Sequence, residues 1–110
     1  MTTDDFAQMP DFTVAVPGES RPVASVYCAD LLSWAMGRAP ADAAWCTVMG
    51  NVNAVAVAHL ADVAAIVLCE DAVLDEDARE KAAQQGVIIV RTGLPAFAAG
   101  VAIAQHAGLL

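Results

Sequence analysis

Six polar residues of this chain have the types and spacing to hold a small ligand: Asp30, Ser33, Asn51, Asn53, Glu70 and Thr92. Each follows an apolar run, and most stand where a helix should begin. If those runs are parallel strands, the loops after them converge at the carboxyl edge of one sheet. Free N–H groups of nearby helix amino termini would there attract a small anion or polar molecule. The same residues also suit plain helix capping, which accounts for Asp30, for Asn51 or Asn53, and for Thr92. Both roles are open at this level.

Catalytic chemistry finds less to work with. Cys46 and His59 could serve as nucleophile and base, with Glu70 as a further acid–base group. Nothing in their spacing sets such a pair apart from chance. There is no GxxxxGK[ST] loop and no GxGxxG, and Lys81, the only lysine, falls in mid-helix. Phosphoryl transfer therefore has no supporting motif. His59 and His106 lack metal-type spacing. Cys28, Cys46 and Cys69 are scattered, with no close pair, so neither a metal site nor any other cofactor is expected. Each cysteine lies within an apolar run and reads as a reduced core thiol of a cytoplasmic protein. Glu70, Asp71, Asp75, Glu76 and Asp77 read as a solvated turn and helix start rather than a cation cage.

The elements that must position these residues are well marked. Between Ala43 and Thr92 the chain alternates strand, turn and helix: strands at 44–49, 64–69 and 87–91, helices at Val52–Leu60 and Glu76–Gln85. Such alternation implies a parallel sheet with crossover helices. Asp75 is placed to cap the second of these helices and Gly86 to end it. Upstream, Phe12–Val16 and Pro22–Cys28 read as two strands. The Pro17-Gly18 turn signal between them suggests a hairpin or bent antiparallel pair at one edge. Asp30 would cap a short helix, Leu31–Met36, closed by Gly37. Pro95 opens a last helix running to about Gln105. Its small residues Ala96, Ala99, Gly100, Ile103 and Ala104 suit either a dimer contact or packing on the chain's own sheet. The fold class is α/β: one three-layer-like domain with a mainly parallel sheet of about five strands. Residues 1–11, with Asp4, Asp5 and Asp11, read as a disordered acidic start, and residues 12–110 as the domain.

Composition narrows the partners. The chain has 110 residues, enough for one domain, and 58% of them are hydrophobic, with few aromatics, so the core is thin and Ala-rich. Apolar surface should be left over, which favours self-association. A formal charge of -8, with Arg21, Arg38, Arg79, Arg91 and Lys81 as the only cations, argues against nucleic acid and anionic membrane. The long apolar span 43–69 resembles a membrane helix in length, but Gly50, Asn51, Asn53, His59 and Asp62 interrupt it.

Taken in order, the motifs resemble the DRTGG-domain family. Tyr27-Cys28-Ala29-Asp30-Leu31-Leu32-Ser33 and Ala35-Met36-Gly37 look like the segment after the family signature. Asn53 to Ala58 looks like the next motif, and the pattern continues through Ala64–Glu70, Gln85–Thr92 and Leu94–Phe97. The resemblance spans roughly residues 12–105. It departs where Arg21–Val26 replaces the glycine-paired signature and where Asn51 stands for a histidine. Asp30, Ser33, Asn53, Glu70 and Thr92 match the pattern. The resemblance implies a fold like the amino-terminal domain of the bacterial kinase/phosphorylase that acts on the HPr phosphocarrier, and like the insert beside CBS-domain pairs. It implies a regulatory role, since chemistry in the two-domain relative lies in a separate domain with a phosphate loop.

The functional expectation is a non-catalytic, homodimeric regulatory module that takes a small polar or anionic ligand at the strand ends. The alternatives are a protein-interaction subunit docking onto a larger enzyme or redox complex, and a small enzyme using Cys46, His59 or Glu70.

Overall fold

The computed structural model describes residues 1–110, and its elements follow from where apolar residues are continuous and where they alternate. The strands are β1 (Phe12–Val16), β2 (Ser25–Cys28), β3 (Ala43–Thr47), β4 (Ala65–Leu68) and β5 (Ile89–Thr92). The helices are α1 (Leu32–Arg38), α2 (Val52–Ala61), α3 (Glu76–Gln85) and α4 (Ala96–His106), preceded by a 3-10 helix at Thr3–Gln8. β3 and β4 are buried at every position, as expected of strands covered on both faces.

The sheet order is β1-β5-β4-β3-β2. β2 to β5 are parallel, with Tyr27 opposite Trp45, Cys46 opposite Val67 and Val67 opposite Val90. β1 lies antiparallel outside β5, pairing Phe12 with Thr92 and Thr13 with Arg91. Each parallel step moves one strand in the same direction. Right-handed crossovers then put α1, α2 and α3 side by side on one face. The 3-10 helix and α4 cover the other. Within β3, Ala44 and Cys46 face the α4 side and Trp45 the α1–α3 side; β4 and β5 alternate the same way. Each face holds a core of 14 buried side chains, so neither outer layer is a minor cover and the domain has three layers. The expected α/β class and five-stranded, mainly parallel sheet are what form.

Local signals explain most element ends. Asn51 Oδ1 accepts from Ala54 N at 2.9 Å and caps α2. Gly86 ends α3 with φ 71, in the left-handed region that favours glycine. Asp75 occupies the N-cap of α3, but its side chain makes no capping bond. No helix is long and apolar enough to cross a membrane.

Three expectations are corrected. Residues 1–11 are not a disordered tail. Thr3–Gln8 is helical, Phe6 is fully buried, and its ring lies 5.6 Å from that of Phe12. Acidic composition hid one aromatic side chain that the α4 face needs, because α4 alone covers only β2 and β3.

Second, β1 and β2 are no hairpin; they form opposite edges of the sheet. Crossing four strand spacings takes roughly 19 Å, and residues 17–24 can reach about 27 Å, so the link is long enough. Its far end is held by Thr3 N to Arg21 O at 2.8 Å and Val23 N to Met1 O at 3.1 Å. Third, Asp30 does not cap α1. That helix starts at Leu32 with no side-chain cap, carries Gly37 inside, and stops after Arg38. Asp30 is drawn to β3 instead, as described below.

Arg21 fastens the amino end of the sheet. Its guanidinium meets Asp42 Oδ1 at 2.7 Å, Asp62 Oδ1 at 2.9 Å and the Asp62 carbonyl at 2.9 Å. Asp42 and Asp62 hold left-handed backbone (φ 63 and 58) just before β3 and β4. One cation thus ties together the two turns that start the central strands.

Candidate functional site

The six residues singled out from the sequence do sit near the carboxyl ends of the strands, but they do not form one ring. Asp30 is committed to structure. Its carboxylate accepts from Thr47 Oγ1 at 2.9 Å and from Val48 N at 3.0 Å, joining the loops after β2 and β3. Asn51 is committed to capping α2. Ser33 on α1 and Asn53 on α2 are exposed, and their side chains are not tied into the loops around them.

Glu70 and Thr92 belong to a different corner. Glu70 N donates to Leu94 O at 3.0 Å, Asp71 N to Thr92 O at 3.1 Å, and Leu94 N to Thr92 Oγ1 at 3.1 Å. These bonds fold the loop after β4 against the loop after β5. They also hold two consecutive non-glycine residues in the left-handed region, Glu70 at φ 59 and Asp71 at φ 54. Such a pair costs free energy of the order of 1–3 kcal/mol per residue and persists only where its surroundings enforce it. Its effect is to aim the Asp71 carboxylate at Gly93. A Cβ at residue 93 would lie 3.2 Å from Asp71 Oδ2, so glycine leaves room for that approach.

The result is a polar cleft of about 310 Å³ lined by Asp11, Thr13, Asp71, Arg91, Thr92 and Gly93. Arg91 is steered by its bond from Nη2 to Ala72 O at 3.0 Å. Asp11, at φ 70, leads directly into β1 and reaches the cleft because β1 pairs with β5. Two carboxylates, one guanidinium and two hydroxyls therefore surround one space. Of the six expected residues only Thr92 lines it, with Glu70 shaping its wall through the backbone.

Asp11, Thr13, Asp71 and Arg91 were not foreseen. Asp71 stood in an acidic run that suits a solvated turn equally well. Asp11 and Thr13 reach the cleft only through a strand pairing that sets Phe12 against Thr92 and Thr13 against Arg91, from opposite ends of the chain. The consecutive left-handed residues had no glycine to announce them.

Catalytic arrangements are weak by comparison. Cys46 is fully buried on the α4 face of β3, whereas His59 is exposed on α2, across the sheet. The two cannot form a nucleophile–base pair. No group of three or more His, Cys, Asp or Glu side chains is placed to hold a metal ion.

No protein-family model matches the sequence, and no curated protein matches it. Its fold does have a solved counterpart. The crystal structure of the CBS and DRTGG domains of the regulatory region of Clostridium perfringens pyrophosphatase, complexed with the activator diadenosine tetraphosphate, aligns with a TM-score of 0.76 at 13% identity. The alignment covers 94% of this chain and 46% of that one, so this chain spans about half of its neighbour. Likeness at this identity is likeness of fold, and the fold is DRTGG-like, as the motif order implied.

Proposed function

We propose that this protein is a non-catalytic regulatory module, homodimeric, that binds a small polar ligand in the cleft between β1 and β5. The observation that carries this reading is the cleft itself: strained backbone at Glu70–Asp71 and a tolerated close approach at Gly93, both serving to line it with polar groups. Support comes from the regulatory role and nucleotide activator of the pyrophosphatase neighbour. The narrower resemblance, to the HPr kinase/phosphorylase domain, gains no support from that neighbour.

Size and charge restrict the ligand. A cleft of about 310 Å³ is at the small end of ligand sites. Arg91 can take one anionic group, while Asp11 and Asp71 favour hydroxyl or amino donors. With a net charge of -8 on the chain, a compact ligand with one anionic group fits better than a polyanion. Dimerisation is favoured by apolar side chains left at the surface, among them Leu31, Trp34 and Met36 around α1.

Native mass spectrometry of the untagged protein, followed by calorimetric titration with adenosine monophosphate and diadenosine tetraphosphate, tests the reading. Expected are a dimer and binding of the smaller probe, weakened about tenfold or more by Arg91→Ala, as befits one charge-assisted contact. A monomer with no retained ligand and no response to either probe at millimolar concentration would sink it. A clean dimer without ligand would favour the interaction-subunit alternative.

A further inference from the structure

Cys28, Cys46 and Cys69, scattered in sequence, converge on one face of the sheet. Cys28 on β2 pairs in register with Cys46 on β3. Cys46 pairs with Val67 on β4, and Cys69 lies two residues beyond, on the same face. They differ in access. Cys46 and Cys69 are fully buried, as expected of core thiols, but Cys28 is exposed at the sheet edge. Its Sγ lies against α4, 3.5 Å from where a Cβ of residue 100 would be, and 3.9 Å from Ala96 O. It opens onto an apolar groove of about 230 Å³ whose walls include Val26, Phe97, Val101 and Leu110.

We propose that Cys28 is an oxidant-sensing modification site whose resolving partner is Cys46, the two closing a disulfide across β2 and β3 when a hydroperoxide enters the groove. The geometry suits the bond. Neighbouring strands lie about 4.8 Å apart, so in-register Cα atoms fall inside the disulfide window of roughly 4.4–6.8 Å. Both side chains leave the sheet on the same face. An accessible thiolate beside a resolving thiol is the arrangement that makes a cysteine oxidant-sensitive. The ionisation tendencies agree. The neighbouring Cys46 thiol, a donor to the thiolate form, holds Cys28 down to about 7, against burial and the Asp30 carboxylate, which push it up. Cys46 is pushed up by its Cys28 and Cys69 neighbours and by burial, and stays a thiol.

The steps balance. The Cys28 thiolate attacks one peroxide oxygen, the O–O bond breaks, and the departing hydroxide takes a proton to leave as water. Cys28 is then a sulfenic acid. The Cys46 sulfur attacks the Cys28 sulfur, the S–S bond forms and the S–O bond breaks. The oxygen leaves as a second water, carrying the Cys46 proton. The peroxide gains two electrons and the two thiols lose them.

Hydrogen peroxide treatment of the full chain, with maleimide blocking under denaturing conditions and non-reducing peptide mapping, decides the matter. Wild type should lose two hydrogens in mass, show a Cys28–Cys46 cross-link within one chain, and keep Cys69 as its single blockable thiol. Cys46→Ala should stop at the sulfenic acid, captured on Cys28 by dimedone. Cys28→Ser, a change at the exposed edge, should abolish both products and leave two blockable thiols. The proposal fails if all three thiols stay blockable in wild type while the exposed Met36 is oxidised. It also fails if the cross-link joins two chains or involves Cys69. Should Cys46→Ala not fold, the wild-type map and Cys28→Ser still decide.

Discussion

The carboxylate of Asp30 caps no helix; it bridges the loop after β2 to the end of β3. It satisfies the hydroxyl of Thr47, a fully buried residue, and one backbone N–H of the next loop. Asp30→Ala should therefore lower stability by about 1–3 kcal/mol, the cost of leaving a buried polar group short of a partner; denaturant unfolding measures it. An unchanged midpoint would mean that water replaces the carboxylate. Cys28 gives a second test at this scale. With its ionisation held down to about 7, its alkylation by iodoacetamide should rise about tenfold between pH 6 and pH 8 and then level off. An ordinary thiol would go on gaining through pH 8. The groups facing Cys28 are Cys46, Cys69 and Asp30, and the α4 wall of its groove is apolar. Residue types pointed to the right end of the sheet. They could not say that Asp30 was already committed, because it finds its partners, Thr47 and Val48, only through the fold.

Among the elements, β3 to α4 were legible because each carries its own signals: continuous apolar strands, an Asn cap, Gly86, Pro95. The two ends of the sheet were not. β1 and β2 carry the same alternating pattern whether paired with each other or sent to opposite edges, since a strand's pattern fixes its face and not its neighbour. The 3-10 helix is hidden in the sequence because its one buried aromatic side chain, Phe6, sits among Thr2, Thr3, Asp4 and Asp5. Its importance is measurable. Phe6→Ala removes a fully buried ring from the core shared with Met9 and Phe12 and should cost about 3–5 kcal/mol. A thermal melt shows the loss directly. A change below about 1 kcal/mol would mean that the element is not anchored as described.

For the molecule as a whole, a stepwise sheet lacks the reversal of strand order that opens a crevice in doubly wound folds. Its cleft forms instead where an antiparallel strand meets the last parallel one. That junction is invisible without the long-range pairing of β1. The -8 charge bears on assembly. Two such chains repel each other, and salt screens that repulsion over a length of about 8–10 Å at physiological strength. Dimerisation should thus tighten as sodium chloride rises, as sedimentation velocity can follow. Trp34→Glu should weaken it at least tenfold by placing a charge in the apolar α1 surface. Salt-independent association, unaffected by the substitution, would place the contact elsewhere.

The antiparallel seam between β1 and β5, with Asp5 Oδ2 lying 3.5 Å from His106 Nε2, brings the beginning and the end of the chain side by side. The path of the backbone is close to a loop, and the point at which it is opened is a matter of convenience. Joining residue 110 to residue 1 with a short flexible linker, and opening the chain at the exposed 18–20 turn, would make β1 the last strand laid down. Such a rearranged chain should still melt in a single cooperative transition. Its order of assembly would change, since the one pairing that now waits for nearly the whole sequence would become a local one.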